Sequence, residues 1–248
     1  MNIQPITSAI RSKATDEYTA LIMIYEYIQK NVKYDYKELE HALKGCVTRR
    51  DAYTAHGALV DGYAVCQGFA EAFTLIAKSI GIECITVGGL STIHSNKPVN
   101  HAWNIFTVKN KHYHADVTWD TNIYKVLGSY SYNYFALSDT EIMTDHEWDF
   151  TQTPPCTYSD MSYYVKNKLN ANNKDQLEAI FIKAARDPSV PVHAKLSLNI
   201  DLPTPFEEAQ KYLLQLLMKK ASKIPGFGIS VSGFWNENTR CFTARFEP

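Results

Sequence analysis

The sequence predicts an α+β protein made of a larger unit followed by a smaller one, and three observations predict it. A run with helical spacing opens at Cys66, within Gly62-Tyr-Ala-Val-Cys-Gln-Gly-Phe-Ala-Glu-Ala-Phe73. Two alternating stretches, His101 to Val108 and His112 to Thr118, flank the turn-forming Lys109-Asn110-Lys111 and read as an antiparallel strand pair. Beyond Pro154-Pro155, patterns in the order α-β-α-β-β suit a small α+β domain. The boundary falls after residue 156, giving 1–156 and 157–248.

In chain order, Thr15-Asp-Glu reads as a helix start, with a capping hydroxyl followed by acids that suit the dipole. Leu21, Ile24, Tyr25, Ile28 and Val32 then form the inward face of a helix from about Asp16 to Asn31. Tyr34-Asp-Tyr-Lys leads into a polar stretch with Lys44-Gly45 and Arg49-Arg50-Asp51, read as a surface loop with a short helix. His56 reads as structural or solvent-facing. After the turn at Asp61-Gly62, Cys66 occupies the first turn of a helix whose apolar face is Phe69, Phe73, Ile76 and Ala77. Ile82 to Gly88 is a strand, and Gly88-Gly89 through Pro98 a polar loop.

The chemistry follows from these placements. The unpaired amides and positive dipole end of a helix N-terminus favour an anion, so a thiol there is activated as a nucleophile. If Lys109 and Asn110 form a two-residue loop, opposed residues have numbers summing to 219. His101 and Asp116 then share a face as diagonal neighbours about 7–8 Å apart at Cα, within reach of a hydrogen bond. A one-residue slip would separate them. His112, His114 and Asp116 also share that face and form a competing metal-binding set. Asp120 is a second acid, read as a turn cap. Trp103, Trp119 and Trp148 read as core beneath the sheet in preference to cleft walls.

The chain has 248 residues, 45% hydrophobic, enough to bury the core of one large domain or two smaller ones. A net charge of -1 gives no general attraction to nucleic acid or anionic membranes. There is no signal-peptide pattern and no apolar run near the roughly 18 residues a membrane span needs, so the chain as given reads as soluble, its compartment unassigned. Cys46, Cys66, Cys84, Cys156 and Cys241 are odd in number and lack a C-x-x-C pair, which favours free thiols.

In the second unit, Asp175 to Arg186 has helical spacing, and Val190 to Ile200 alternates with Val192, Ala194, Leu196 and Leu198 inward. Thr204-Pro-Phe-Glu207 reads as a capping box opening a helix to about Lys220. Ile229 to Phe234 and Cys241 to Phe246 read as a hairpin. From Met161 onward basic residues exceed acidic ones by four, which an ordinary solvated surface explains. No catalytic motif is visible there, and binding, dimerisation or support of the first unit are equally open.

The blocks Gly62 to Phe73, His101-Ala-Trp-Asn104 and Tyr113-His-Ala-Asp-Val-Thr-Trp-Asp120 resemble the transglutaminase-like core of bacterial proteins. Tyr134-Phe-Ala-Leu-Ser-Asp139 and Asp145-His-Glu-Trp148 resemble the segment that often follows it, so the resemblance covers about residues 15 to 156. It implies a papain-like α+β fold in which the cysteine opens a central helix packed on an antiparallel sheet. By this similarity Cys66 is the nucleophile, His101 the base and Asp116 the orienting acid of a cysteine protease, amidase or transglutaminase-type acyltransferase. An acyl-thioester resolved by water or by an amine is implied, on a protein or peptide substrate. Tyr63 stands where Lys is common in the family, and His56 where an aromatic is common. The backbone N–H of Cys66 is the expected oxyanion donor, with Gln67, Tyr53 and Trp103 as further oxyanion or substrate-binding residues. No cofactor, metal or calcium loop is expected. The alternative is a catalytically weak or inactive peptide-binding module on the same fold.

Overall fold

The computed structural model describes residues 1–92, 98–224 and 230–247. The chain divides into two compact units, one of residues 1–122 and 134–161, the other of 123–133 and 162–248. The second unit thus takes in a segment that precedes the boundary expected at 156.

The first unit opens with α1 (Gln4–Lys13) and α2 (Glu17–Asn31). The periodic pattern does not reveal α1, whose buried residues are only Thr7 and Ile10. The N-cap of α2 is Asp16 and not Thr15, because the Asp16 carboxylate accepts the Thr19 amide at 2.8 Å and Thr19 completes a capping box. The stretch read as loop contains β1 (Lys33–Tyr34) and α3 (Tyr36–Leu43), then a 3₁₀ turn at Arg50–Tyr53 and a π-helical turn at Gly57–Asp61. That turn closes on Gly62, whose φ of 72° is left-handed. Next come β2 (Tyr63–Ala64), parallel to β1, and α4 (Cys66–Ser79).

Helix α4 is the central element of this unit. Phe69, Phe73, Ile76 and Ala77 are fully buried, each large apolar side chain contributing roughly 1.5–3 kcal/mol. A Cβ at Gly68 would lie 2.4 Å from the Ala52 carbonyl oxygen, so the helix start can approach the 3₁₀ turn only without a side chain there.

The sheet beneath α4 continues with β3 (Cys84–Ser91), β4 (Val99–Val108) and β5 (Lys111–Ala115). Helix α5 (Val117–Leu127) follows, then β6 (Phe135–Leu137), α6 (Asp139–Ile142) and β7 (His146–Glu147). The five strands lie in the order β6-β5-β4-β3-β7, every pair antiparallel. Strands β4 and β5 pair from Asn104↔Ala115 to Val108↔Lys111, the predicted register. Lys109 and Asn110 have φ of 51° and 59°, as a type I′ hairpin turn requires.

Two boundaries differ from expectation. Strand β3 runs on through Gly88 and Gly89 to Ser91, because β4 and β7 supply backbone partners on both sides. Strand β5 stops at Ala115, since Asp116 Oδ1 accepts the Thr118 amide at 2.9 Å and the chain turns into α5. Trp119 and Asp120 are therefore helical.

The second unit contains α7 (Tyr163–Lys166), β8 (Asn170–Ala171), α8 (Lys174–Ala185), β9 (Val192–Leu196), α9 (Phe206–Ala221), β10 (Ser230–Asn236) and β11 (Cys241–Glu247). Its sheet order is β10-β11-β9-β8, with Leu177, Phe181, Val192, Leu213, Leu217, Trp235 and Phe242 in the core. Leu198, expected inward, is 83% exposed because β9 has already ended. The expected Thr204 cap is also absent: Pro205 is the N-cap of α9, with no side-chain capping bond. Ile229, the expected start of the hairpin, lies outside the described residues. Among the described residues no helix is long and apolar enough to cross a membrane.

Candidate active site

Cys66 is the first residue of α4. Its N-cap, Val65, is extended and provides no side-chain cap, so the first-turn amides point toward the sulfur's surroundings without a competing carboxylate. The thiol is half-buried; Cys84, Cys156 and Cys241 are buried, Cys46 is exposed, and all five are free. Burial pushes the Cys84 and Cys156 thiols up to about 12, which makes them poor nucleophiles.

His101 comes from β4 and Asp116 from the junction of β5 and α5. His101 Nε2 and Asp116 Oδ2 are 2.6 Å apart, both side chains buried. Cys66 lies near enough to His101 to favour its charged form; since Nε2 is committed to Asp116, Nδ1 is the nitrogen left for sulfur. Burial works against the charged imidazole, but the Asp116 carboxylate and then Cys66 outweigh it and hold the imidazolium up at about 10. Burial likewise works against the Asp116 carboxylate, yet His101 and His146 hold its carboxyl well below the usual range.

Asp116 is fixed from several directions. Its Oδ1 takes the Thr118 amide, its backbone N–H donates to the Tyr134 carbonyl at 3.0 Å, and its carbonyl accepts the Tyr25 hydroxyl at 2.8 Å. The same hydroxyl reaches Asp120 Oδ2 at 2.6 Å, and Asp120 also accepts the Tyr134 amide at 2.9 Å. Asp120 thus braces α5 against Tyr25 and Tyr134. On its other side His101 meets the rings of Trp103 and Trp119, with centroids 6.1 and 5.0 Å away.

The remaining expected residues are dispersed. Trp103 is 1% exposed and donates its indole N–H to His114 Nδ1 at 3.0 Å, so it is a core wall behind His101 and not a substrate donor. Trp119 and Trp148 are buried as well. Tyr53 points its hydroxyl at Glu38 (3.4 Å), Gln67 is exposed, and His56 is exposed. Sequence reasoning missed Tyr34. The pairing of β1 with β2 sets it opposite Ala64, its ring stacks on Phe69 at 6.2 Å, and its hydroxyl lies near enough to Cys66 for the two to feel one another's charge. A two-residue strand carries too little periodicity to signal this.

The competing metal set does not assemble. His114 Nδ1 accepts from Trp103, so Nε2 bears the proton toward Asp139 at 2.9 Å, while His112 Nδ1 turns to Thr107 Oγ1 at 3.0 Å. Burial holds the His114 imidazolium down at about 4, in keeping with a neutral ring. His114, Asp139 and Cys156 lie near one another, but that thiol stays protonated and the imidazole has no lone pair to offer. His101, Asp116 and His146 also cluster, but as alternating hydrogen-bonded charges whose facing atoms already satisfy one another. Asp51, His56 and Asp61 form an exposed group in which Asp61 already meets Arg49 at 3.4 Å.

Residues 4–117, which hold Cys66, His101 and Asp116, match the model of the transglutaminase-like superfamily and form a transglutaminase-like domain. The chain is 22% identical over 194 residues to the kyphoscoliosis peptidase of Mus musculus, a match covering 71% of this chain and 28% of that protein. It therefore spans less than a third of that relative. Among solved structures, a TGase is 17% identical with a TM-score of 0.40, covering 47% of this chain and 30% of its own. A candidate cysteine protease of Cytophaga hutchinsonii is 19% identical with a TM-score of 0.39, covering 47% and 36%.

Proposed function

We propose that the chain is a cysteine enzyme acting on protein or peptide amides, with Cys66 as nucleophile, His101 as acid and base, and Asp116 as orienting acid. The observation that carries this reading is the buried 2.6 Å contact between His101 Nε2 and Asp116, which leaves Nδ1 to Cys66 at the first position of α4. Cys66 sulfur attacks the carbonyl carbon, the C–N bond breaks, and the proton on His101 Nδ1 passes to the leaving amine. The acyl-thioester that remains is attacked by water, or by an amine such as a lysine side chain, with His101 taking the nucleophile's proton as the C–S bond breaks and the Cys66 thiolate is released. The Cys66 backbone N–H is the oxyanion donor. The Tyr34 hydroxyl, near enough to Cys66 to feel its charge, is a candidate second donor toward the substrate oxygen.

The test is alkylation of Cys66 by iodoacetamide as a function of pH, read by mass spectrometry in the native chain, His101→Ala and Asp116→Asn. Rapid alkylation near pH 6 that both substitutions abolish supports the reading. Alkylation indifferent to both would overturn it and favour a binding module.

A further inference from the structure

The buried chain of charges does not end at Asp116. His146, on β7 and beyond the stretch matched by the family model, has both ring nitrogens against carboxylates: Nε2 is 3.1 Å from Asp116 Oδ2 and Nδ1 is 2.5 Å from Asp145 Oδ1. All three side chains are fully buried. A neutral imidazole carries one N–H, so one of these contacts would set a lone pair against an anionic oxygen with no water to relieve it. With both nitrogens protonated, every contact is a charge-assisted bond. Asp145 Oδ2 accepts the Tyr134 hydroxyl at 2.5 Å, and its backbone carbonyl accepts Ser91 Oγ at 2.9 Å, so its carboxylate is held in place. The result is an alternating series: His101 cation, Asp116 anion, His146 cation, Asp145 anion.

We propose that His146 is a positioning residue of this site, a buried imidazolium that shares the Asp116 carboxylate with His101 and thereby keeps the His101 proton transferable to a leaving amine. The inference rests on the triad reading above. Asp116 Oδ2 bonds both rings, so neither has it alone, and the His101 and His146 rings lie 5.3 Å apart, close enough for like charges to oppose. The charged and titratable groups facing His146 are Asp116, Asp145 and His101, with His114 on β5 near enough to feel its charge and the Tyr134 ring 5.8 Å away. Among the polar contacts, the carboxylates dominate and hold the His146 imidazolium up against burial.

Iodoacetate tests this, because its reaction with a thiolate is favoured by a neighbouring imidazolium and declines at high pH when that proton is lost. His146→Gln keeps an N–H donor without a charge, and the declining limb should move up by about one pH unit as His101 becomes the one cation facing Asp116. Asp145→Asn, which removes the support for the His146 charge, should move it the same way. In ¹⁵N-labelled native chain both His146 nitrogens should remain protonated at pH 7. A limb that stays put in folded variants, or a neutral His146 ring, overturns the proposal while leaving the triad standing. A native chain with no bell-shaped profile overturns the triad reading and this one with it.

Discussion

Gly89 stands directly across the ladder from His101, and a Cβ on Gly89 would sit 2.3 Å from the Glu147 carbonyl oxygen and 2.7 Å from the Trp103 ring. The strand bearing the candidate base can pack against β7 and Trp103 only because that position has no side chain. Gly89→Ala should therefore destabilise the fold by roughly 1–3 kcal/mol through overpacking and reduce Cys66 reactivity by displacing His101. Denaturant unfolding and alkylation rates measured on the same preparation check both halves.

Asp116→Asn preserves shape but removes the charge that two buried imidazoles need. Any amide turnover should fall by about 10²–10⁴, the range for losing an orienting acid in such a triad. Steady-state kinetics with a peptide amide, run beside amine incorporation, would measure this and also separate hydrolysis from transfer.

Tyr34→Phe removes a hydroxyl that lies near enough to Cys66 to feel its charge. If that hydroxyl restrains the sulfur by about 1 kcal/mol, the size of one hydrogen bond, its loss should speed alkylation roughly fivefold. Slower or unchanged alkylation in the folded variant would mean the hydroxyl does not restrain the nucleophile.

Stability should be greatest near pH 6.5 and fall on both sides. The His101 pKa is raised from 6.5 to about 10, so its contribution is complete below 6.5 and is lost as pH rises toward 10. The His114 and His193 pKa values are lowered by burial to about 4, so the unfolded chain takes up protons first and stability falls from 6.5 toward 4. Melting temperatures across pH 4 to 10 should show both slopes, and His101→Gln should flatten the alkaline one.

The sequence by itself determined the features that depend on local spacing. The two-residue Lys109-Asn110 turn set the β4–β5 register, and with it which face His101 occupies, because the strand period is two. The apolar stripe from Phe69 to Ala77 likewise marked α4 and put Cys66 at its start. Only the tertiary structure decided what surrounds those residues. His146 and Tyr34 lie on strands of two residues, too short to carry a pattern, and reach the site through pairing with β3 and β2, segments distant in the chain. The metal alternative failed for the same reason: strand alternation aligned His112 and His114, but Trp103, Asp139 and Thr107 claimed their nitrogens, and hydrogen-bond partners across a folded core have no fixed spacing in sequence.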